Sequence, residues 1–114
     1  MAGVTYRRGD VVTCAPPGEY GKPRPAVVLQ SDLFNETHAS VTVCPLTSER
    51  VGTPLFRVPV TAERLSGLKK DSEAMADKLT TLRRDRIGAV IGRLDDLVLD
   101  RIDAAVLLWL GLRR

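Results

Sequence analysis

RPAVVLQS, residues 24–31, is the stretch on which the fold turns. At its centre Val27, Val28 and Leu29 follow one another with no polar residue between them. Successive side chains of a strand point to opposite faces, so an unbroken apolar run implies a strand covered on both sides. Residues 40–46 (SVTVCPL) alternate instead, with Val41, Val43 and Pro45 on one side and Thr42, Cys44 and Leu46 on the other. Upstream, residues 9–14 (GDVVTC) are short, apolar and β-branched. Residues 55–61 (LFRVPVT) read as a fourth strand, and Pro59, which lacks a backbone donor, places it at an edge or a bulge.

Further out the pattern continues. Between the first two strands, residues 15–23 (APPGEYGKP) carry prolines and glycines that forbid helix and ladder alike, and a loop of that length suits a working loop. Residues 62–70 suggest a helical turn ending near Gly67. Residues 72–82 (SEAMADKLTTL) pull both ways: Ala, Met, Glu and Lys favour helix, whereas the alternation of Ala74 and Ala76 against Met75 and Asp77, and the Thr80-Thr81 pair, favour strand. The expectation is one strand. Residues 88–93 form a last strand with a small helical turn before it. The C-terminal segment is a helix capped by Asp95 or Asp96, with Leu97, Ile102, Ala105, Val106 and Trp109 on one side and Gly111 as its stop. The whole reads as mainly β with added helices: one antiparallel sheet, curled into a partial barrel, with a C-terminal α-helix.

Length and composition narrow the function. The 114 residues suit one domain, expected to run over 1–114, and 44% hydrophobic with 27% charged residues is ordinary globular composition. The longest apolar stretch, residues 104–112, is far short of the roughly 18 residues a membrane span needs. The N-terminal residues lack a signal-peptide core, so a soluble, non-secreted protein in the cytoplasm is expected, with no membrane partner. Lys plus Arg is 17 against 14 Asp plus Glu, a net charge of +3 that permits an acidic partner without requiring one. Cys14 and Cys44 lack metal-site spacing and sit in apolar runs, so they read as buried, reduced thiols. A lone His, His38, excludes mechanisms that need a His pair or a three-His metal site. Asp10, Asp32, Asp71, Asp77, Asp95 and Asp96 show no metal-ligand spacing, and most of them read as solvated surface.

Two segments could carry chemistry. Arg24 stands at the entrance of the buried strand, just after the long loop. Thr47 and Ser48 follow the strand of residues 40–46. On residue chemistry alone the hydroxyls are turn formers and Arg24 is a surface charge. If the two strands are neighbours, however, Arg24 and Thr47 meet at one end of the sheet. A guanidinium fork beside a hydroxyl then forms a phosphate site.

The ordered set GDVV, a Pro/Gly loop, RPAVVLQSDLFN, VTVCPLTS, LKKDSEAMADKLTTL, IGRLDD and a terminal helix ending WLGL resembles the MazF/PemK toxins over almost the whole chain. The resemblance implies an SH3-like small barrel, CcdB/MazF-like in fold, working as a homodimer. It implies a sequence-specific endoribonuclease that cleaves single-stranded RNA without metal or other cofactor. The substrate would be mRNA, with tRNA and rRNA as further candidates. The family's catalytic Arg and Thr match Arg24 and Thr47, and Ser48 falls on the same motif. In that chemistry the ribose 2′-OH attacks the adjacent phosphorus, leaving a 2′,3′-cyclic phosphate and a 5′-hydroxyl. A neutral Thr hydroxyl is a poor base, so positioning is the role assigned to Thr47.

The same resemblance places the long loop at the RNA groove, with Glu19, Tyr20 and Lys22 as candidate contacts: Tyr20 to stack on a base, Lys22 to meet a phosphate. In the segment Asp77-Lys78-Leu79-Thr80, many members carry Asp-Gln, an apolar residue and a cation. Here Lys78 replaces the Gln and Thr80 the cation. Asp77, Lys78 and Thr80 are therefore expected to contact RNA with an altered base preference, since an ammonium and an amide read different base edges. The implied partners are a second copy of the chain and a cognate antitoxin, with DNA met only through the antitoxin. The alternative is a non-enzymatic, CcdB-like poison of DNA gyrase, and the Arg24/Thr47 pair discriminates against it.

Overall fold

The computed structural model describes residues 5–15 and 22–112. Strands β1 (Asp10–Cys14) and β2 (Arg24–Val28) lead to a single helical turn, α1 (Asp32–Asn35). Then come β3 (Ser40–Thr47), β4 (Arg57–Val60), β5 (Ser72–Met75), β6 (Thr80–Arg83) and β7 (Ile87–Arg93). Helix α2 (Asp96–Leu110) ends the fold. The order across the sheet is β4-β5-β3-β2-β1-β7, all antiparallel, with β6 pairing separately with β3. The eight-residue β3 is the hinge of this arrangement: its first half pairs with β6 and its last two residues with β5. The sheet therefore curls without closing.

The unbroken apolar run in β2 has the expected cause. Ala26, Val27 and Val28 are each fully buried. Val27 joins Val11, Cys44, Leu46, Val58 and Ala74 in a core under α2, while Ala26 and Val28 join Tyr6, Val12, Val41, Val43 and Leu82 in a core on the other face. Complete burial of a valine side chain contributes about 1.5–3 kcal/mol. Pro59 sits exposed on β4 at the edge of the sheet, where a missing donor costs no ladder bond. Both cysteines are free and buried.

Four expectations need correction. The strand begun at Arg24 stops at Val28, because the Ser31 hydroxyl caps α1 by accepting from the Leu33 amide at 3.2 Å. Residues 72–82 are two strands, not one: a 3₁₀ turn, Ala76–Lys78, separates β5 from β6, and its Ala76 amide bonds to the Phe56 carbonyl at 3.0 Å. Asp10 is buried rather than solvated; it accepts the Arg7 amide and pairs with Arg93 at 3.1 Å. On α2 the buried residues are Leu99, Ile102 and Ala105, whereas Leu97 and Trp109 are exposed. At roughly 100° per residue Leu97 points about 140° away from Ile102. Trp109 faces the right way but lies in the last turn, where its ring meets Phe56 at 5.5 Å. The Asp95 cap, with its carboxylate accepting the Val98 amide at 2.9 Å, and the left-handed Gly111 stop are as expected.

Candidate active site

The pairing of β2 with β3 decides where the site lies. Ala26 faces Pro45, Val27 faces Cys44 and Val28 faces Val43. Each step back along β2 is a step forward along β3, so Arg24, the first residue of β2, stands across from Thr47, the last of β3. On the far side of β2, Arg24 pairs with Cys14. On the far side of β3, Thr47 pairs with Glu73. Four strand ends thus converge on one edge of the fold.

A cavity of about 300 Å³ opens there, lined by Cys14, Arg24, Pro25, Thr47, Met75, Lys78 and Thr80, with Val43 and Leu82 in its floor. Arg24 and Lys78 are exposed, and Thr47 and Thr80 are half-buried. The Thr47 hydroxyl accepts the Glu49 amide at 3.1 Å, so it does form the turn its residue type suggests. Its O–H remains available to donate into the cavity. Thr80 donates to the Lys78 carbonyl at 2.8 Å, which ties the two residues together at the rim. A groove of about 350 Å³ between β4 and α2, lined by Leu55, Val58, Ala104 and Leu108 beside Arg57 and Arg101, has no hydroxyl in its lining. Among the described residues no three His, Cys, Asp or Glu side chains cluster to hold a metal ion.

These observations give an Arg and a Thr from separate strands facing one cleft, on a curled sheet with a terminal helix. A family model, PemK-like, MazF-like toxin of type II toxin-antitoxin system, matches residues 7–110. The chain belongs to this family. It is 42% identical over 107 residues to a probable endoribonuclease MazF of Mycolicibacterium smegmatis, covering 93% of this chain and 97% of the relative. It is 29% identical over 111 residues to the endoribonuclease EndoA of Bacillus subtilis, covering 93% and 95%. Among solved structures, an endoribonuclease in complex with its cognate antitoxin from a mycobacterial species superposes with a TM-score of 0.78 at 25% identity, covering 96% of this chain and 98% of that one.

Within this MazF-like frame the structure brings together Arg24, Thr47, Lys78 and Thr80. Ser48 is exposed in the turn after β3 and does not line the cavity, and Lys22 is exposed two residues before Arg24. Glu19 and Tyr20 lie outside the described residues. Asp77, read from the sequence as an RNA contact on a solvated surface, does not line the cavity either. Its carboxylate is gripped by the Arg57 guanidinium, Nε to Oδ1 at 2.8 Å and Nη2 to Oδ2 at 3.1 Å. Those bonds hold the Asp77 carboxyl below its ordinary pKa and raise that of Arg57.

Sequence reasoning missed two residues around this site. Arg57 carries no signal in a strand of mixed character. Glu73 is buried on β5, directly across from Thr47, and its carboxylate accepts the Val51 and Gly52 amides at 2.9 and 3.2 Å. It thereby pins the loop that leaves Thr47. An acid inside the alternation of residues 72–76, with Gly52 able to take the left-handed turn that aims its amide at an anion, was the available signal.

Proposed function

We propose that this chain is the growth-arresting toxin of a toxin–antitoxin pair, a sequence-specific endoribonuclease that cleaves single-stranded RNA by attack of a ribose 2′-OH on the adjacent phosphorus. The observation that carries the reading is the facing of Arg24 and Thr47 across one cavity. The similarity to endoribonucleases favours RNA cleavage over the gyrase-poison alternative. As the 2′-oxygen approaches phosphorus, negative charge grows on the non-bridging oxygens. The Arg24 guanidinium stabilises it in the role that a metal ion fills elsewhere. The Thr47 hydroxyl orients the phosphate or the attacking group in line, and positioning of this kind supplies much of the acceleration. The P–O5′ bond breaks, leaving a 2′,3′-cyclic phosphate and a 5′-hydroxyl. Lys78 and Thr80, at the rim, meet the bases beside the scissile bond, and Ser48 and Lys22 meet the strand outside the cavity.

The partners follow. A cognate antitoxin is supported by the similar fold solved with its own antitoxin. A second copy of the chain is supported by the cluster of exposed Leu108, Trp109, Leu110 and Leu112 at the end of α2, an apolar surface suited to an interface. No helix among the described residues is long and apolar enough to cross a membrane, and the RNA substrate puts the working place in the cytoplasm.

The test is cleavage of a long single-stranded RNA in EDTA. Wild-type protein is expected to give discrete fragments ending in cyclic phosphate. Arg24→Ala should cut slower by about 10²–10³-fold, the scale for losing one donor to a developing oxyanion, and Thr47→Ala should also be impaired. Arg24→Lys should restore only part of the rate, since an ammonium cannot make the two parallel bonds of the guanidinium. Uncut RNA with wild type, or undiminished cutting by Arg24→Ala, overturns the assignment.

A further inference from the structure

Asp77, next to the cavity-lining Lys78 in the chain, forms a two-bonded pair with Arg57, their side chains only 15% and 11% exposed. The pair sits at a junction. Asp77 belongs to the 3₁₀ turn Ala76–Lys78, whose next residue, Lys78, lines the candidate active cavity. Arg57 opens β4, the edge strand packed against α2. Its guanidinium lies 5.8 Å from the centre of the Phe56 ring, and that ring stacks at a tilt on Trp109 near the end of α2. The Phe56 carbonyl accepts the Ala76 amide at 3.0 Å, so the turn is held to β4 by its backbone at one residue and by a charged fork at the next.

A three-residue turn interrupting a strand has little stiffness of its own, because its amides contribute few ladder bonds. Here β5 ends at Met75 and β6 begins at Thr80, each paired with a different stretch of β3. The direction in which Lys78 leaves the backbone is therefore constrained by the anchoring of its neighbours: Ala76 is buried in the core, Asp77 is held by Arg57, and Thr80 donates to the Lys78 carbonyl. A fork-to-carboxylate pair fixes both the distance and the plane of a side chain, which a single contact does not.

We propose that the Arg57–Asp77 pair is a positioning device for RNA recognition: by clamping the Ala76–Lys78 turn to β4 it sets where the Lys78 ammonium and Thr80 meet the bases beside the scissile phosphate. The proposal rests on the endoribonuclease reading given above. Neither side chain touches RNA in this role. Both act through Lys78 and Thr80, so their loss shows in base preference before it shows in the chemistry at Arg24 and Thr47. The junction also links the site to the apolar end of α2, since Trp109, Phe56, Arg57, Asp77 and Lys78 form one contiguous series of contacts and neighbours.

The experiment compares kcat/KM on two short RNAs: one with the sequence wild-type protein prefers, found by sequencing product 5′ ends, and one altered at the base beside the cut. Asp77→Asn keeps the shape and removes the charge. The ratio between the two RNAs is expected to fall about tenfold, within the roughly 10²-fold that a misplacement of about an ångström can cost, with the rise in KM larger than the fall in kcat. Arg57→Lys, which keeps a charge but not the fork, should retain an intermediate ratio. The exchange Arg57→Asp with Asp77→Arg should recover more of the ratio than either single change. A merely structural role would lower both rates by the same factor, following the folded fraction read by circular dichroism, and would leave the ratio intact. An unchanged ratio in folded Asp77→Asn overturns the proposal, and should that variant not fold, an unchanged ratio in Arg57→Lys does so. Failure of wild-type protein to cut RNA at all is a different result and sinks the endoribonuclease reading itself.

Discussion

Cys44 shows how position alone resets a side chain's chemistry. Its thiol is fully buried in β3, and burial, reinforced by the Asp77 charge, pushes its pKa up to about 12 from an ordinary value of 9.0. The thiolate is the reactive form, so the folded protein should leave Cys44 unmodified by a thiol reagent near about pH 8, while the urea-unfolded chain labels at both cysteines. Peptide mass spectrometry reads this directly, and rapid native labelling of Cys44 would contradict the burial. The sign of the linkage follows. Between pH 9.0 and about 12 the unfolded chain gives up a proton that the folded chain retains, so stability falls as pH rises through that window. Asp77 works in the opposite sense. Its carboxyl is depressed by the hydrogen bonds from Arg57, so its contribution is present above the ordinary carboxylate pKa and is lost as pH falls through the lower folded value.

At the scale of elements, the turn before Gly67 and strand β7 meet backbone to backbone. The Arg93 amide bonds to the Leu65 carbonyl at 2.8 Å. A Cβ built on Gly92 would lie 2.2 Å from the Ser66 carbonyl oxygen and 2.5 Å from that of Leu65, both backbone atoms that cannot swing aside. Gly92→Ala is therefore expected to cost about 2–3 kcal/mol, as overpacking does, and to lower Tm by several degrees in a thermal melt. Gly52 offers the contrast: its φ is +69° but a Cβ there meets nothing within 4 Å, so Gly52→Ala should cost only about 1 kcal/mol, from backbone conformation alone. Equal losses in the two variants would contradict the close approach. The sequence marks Gly67 as the end of a turn but gives no hint about Gly92, because the approach is made by chain about 25 residues away.

Across the whole molecule, the end of β1, the start of β2, the end of β3 and the start of β5 gather at one edge, and exposed Lys22 stands near Arg24 in the chain. With a net charge of +3, binding of single-stranded RNA should weaken as salt rises, by about 0.7 in log affinity per log salt for each phosphate neutralised. Lys22→Ala should make that slope shallower by about 0.7, measured by filter binding with Thr47→Ala protein so that the RNA stays whole. An unchanged slope removes Lys22 from the phosphate path. Much of this architecture was legible in the chain. The apolar runs and alternation marked β1, β2, β3, β4 and β7 but not the break between β5 and β6, Pro59 narrowed β4 to an edge or a bulge, and Asp95 or Asp96 with Gly111 marked the ends of α2, since each acts through neighbours within one turn or one strand. The ordered motifs pointed to the family, and they singled out Arg24 and Thr47. The register that sets those two across from each other, the fork from Arg57 that draws Asp77 away from the cavity, and the anchoring of the Thr47 loop by Glu73 were decided only in three dimensions. Each joins residues about 20 or more positions apart, and no local propensity carries the distance between strands that the packing of two cores imposes.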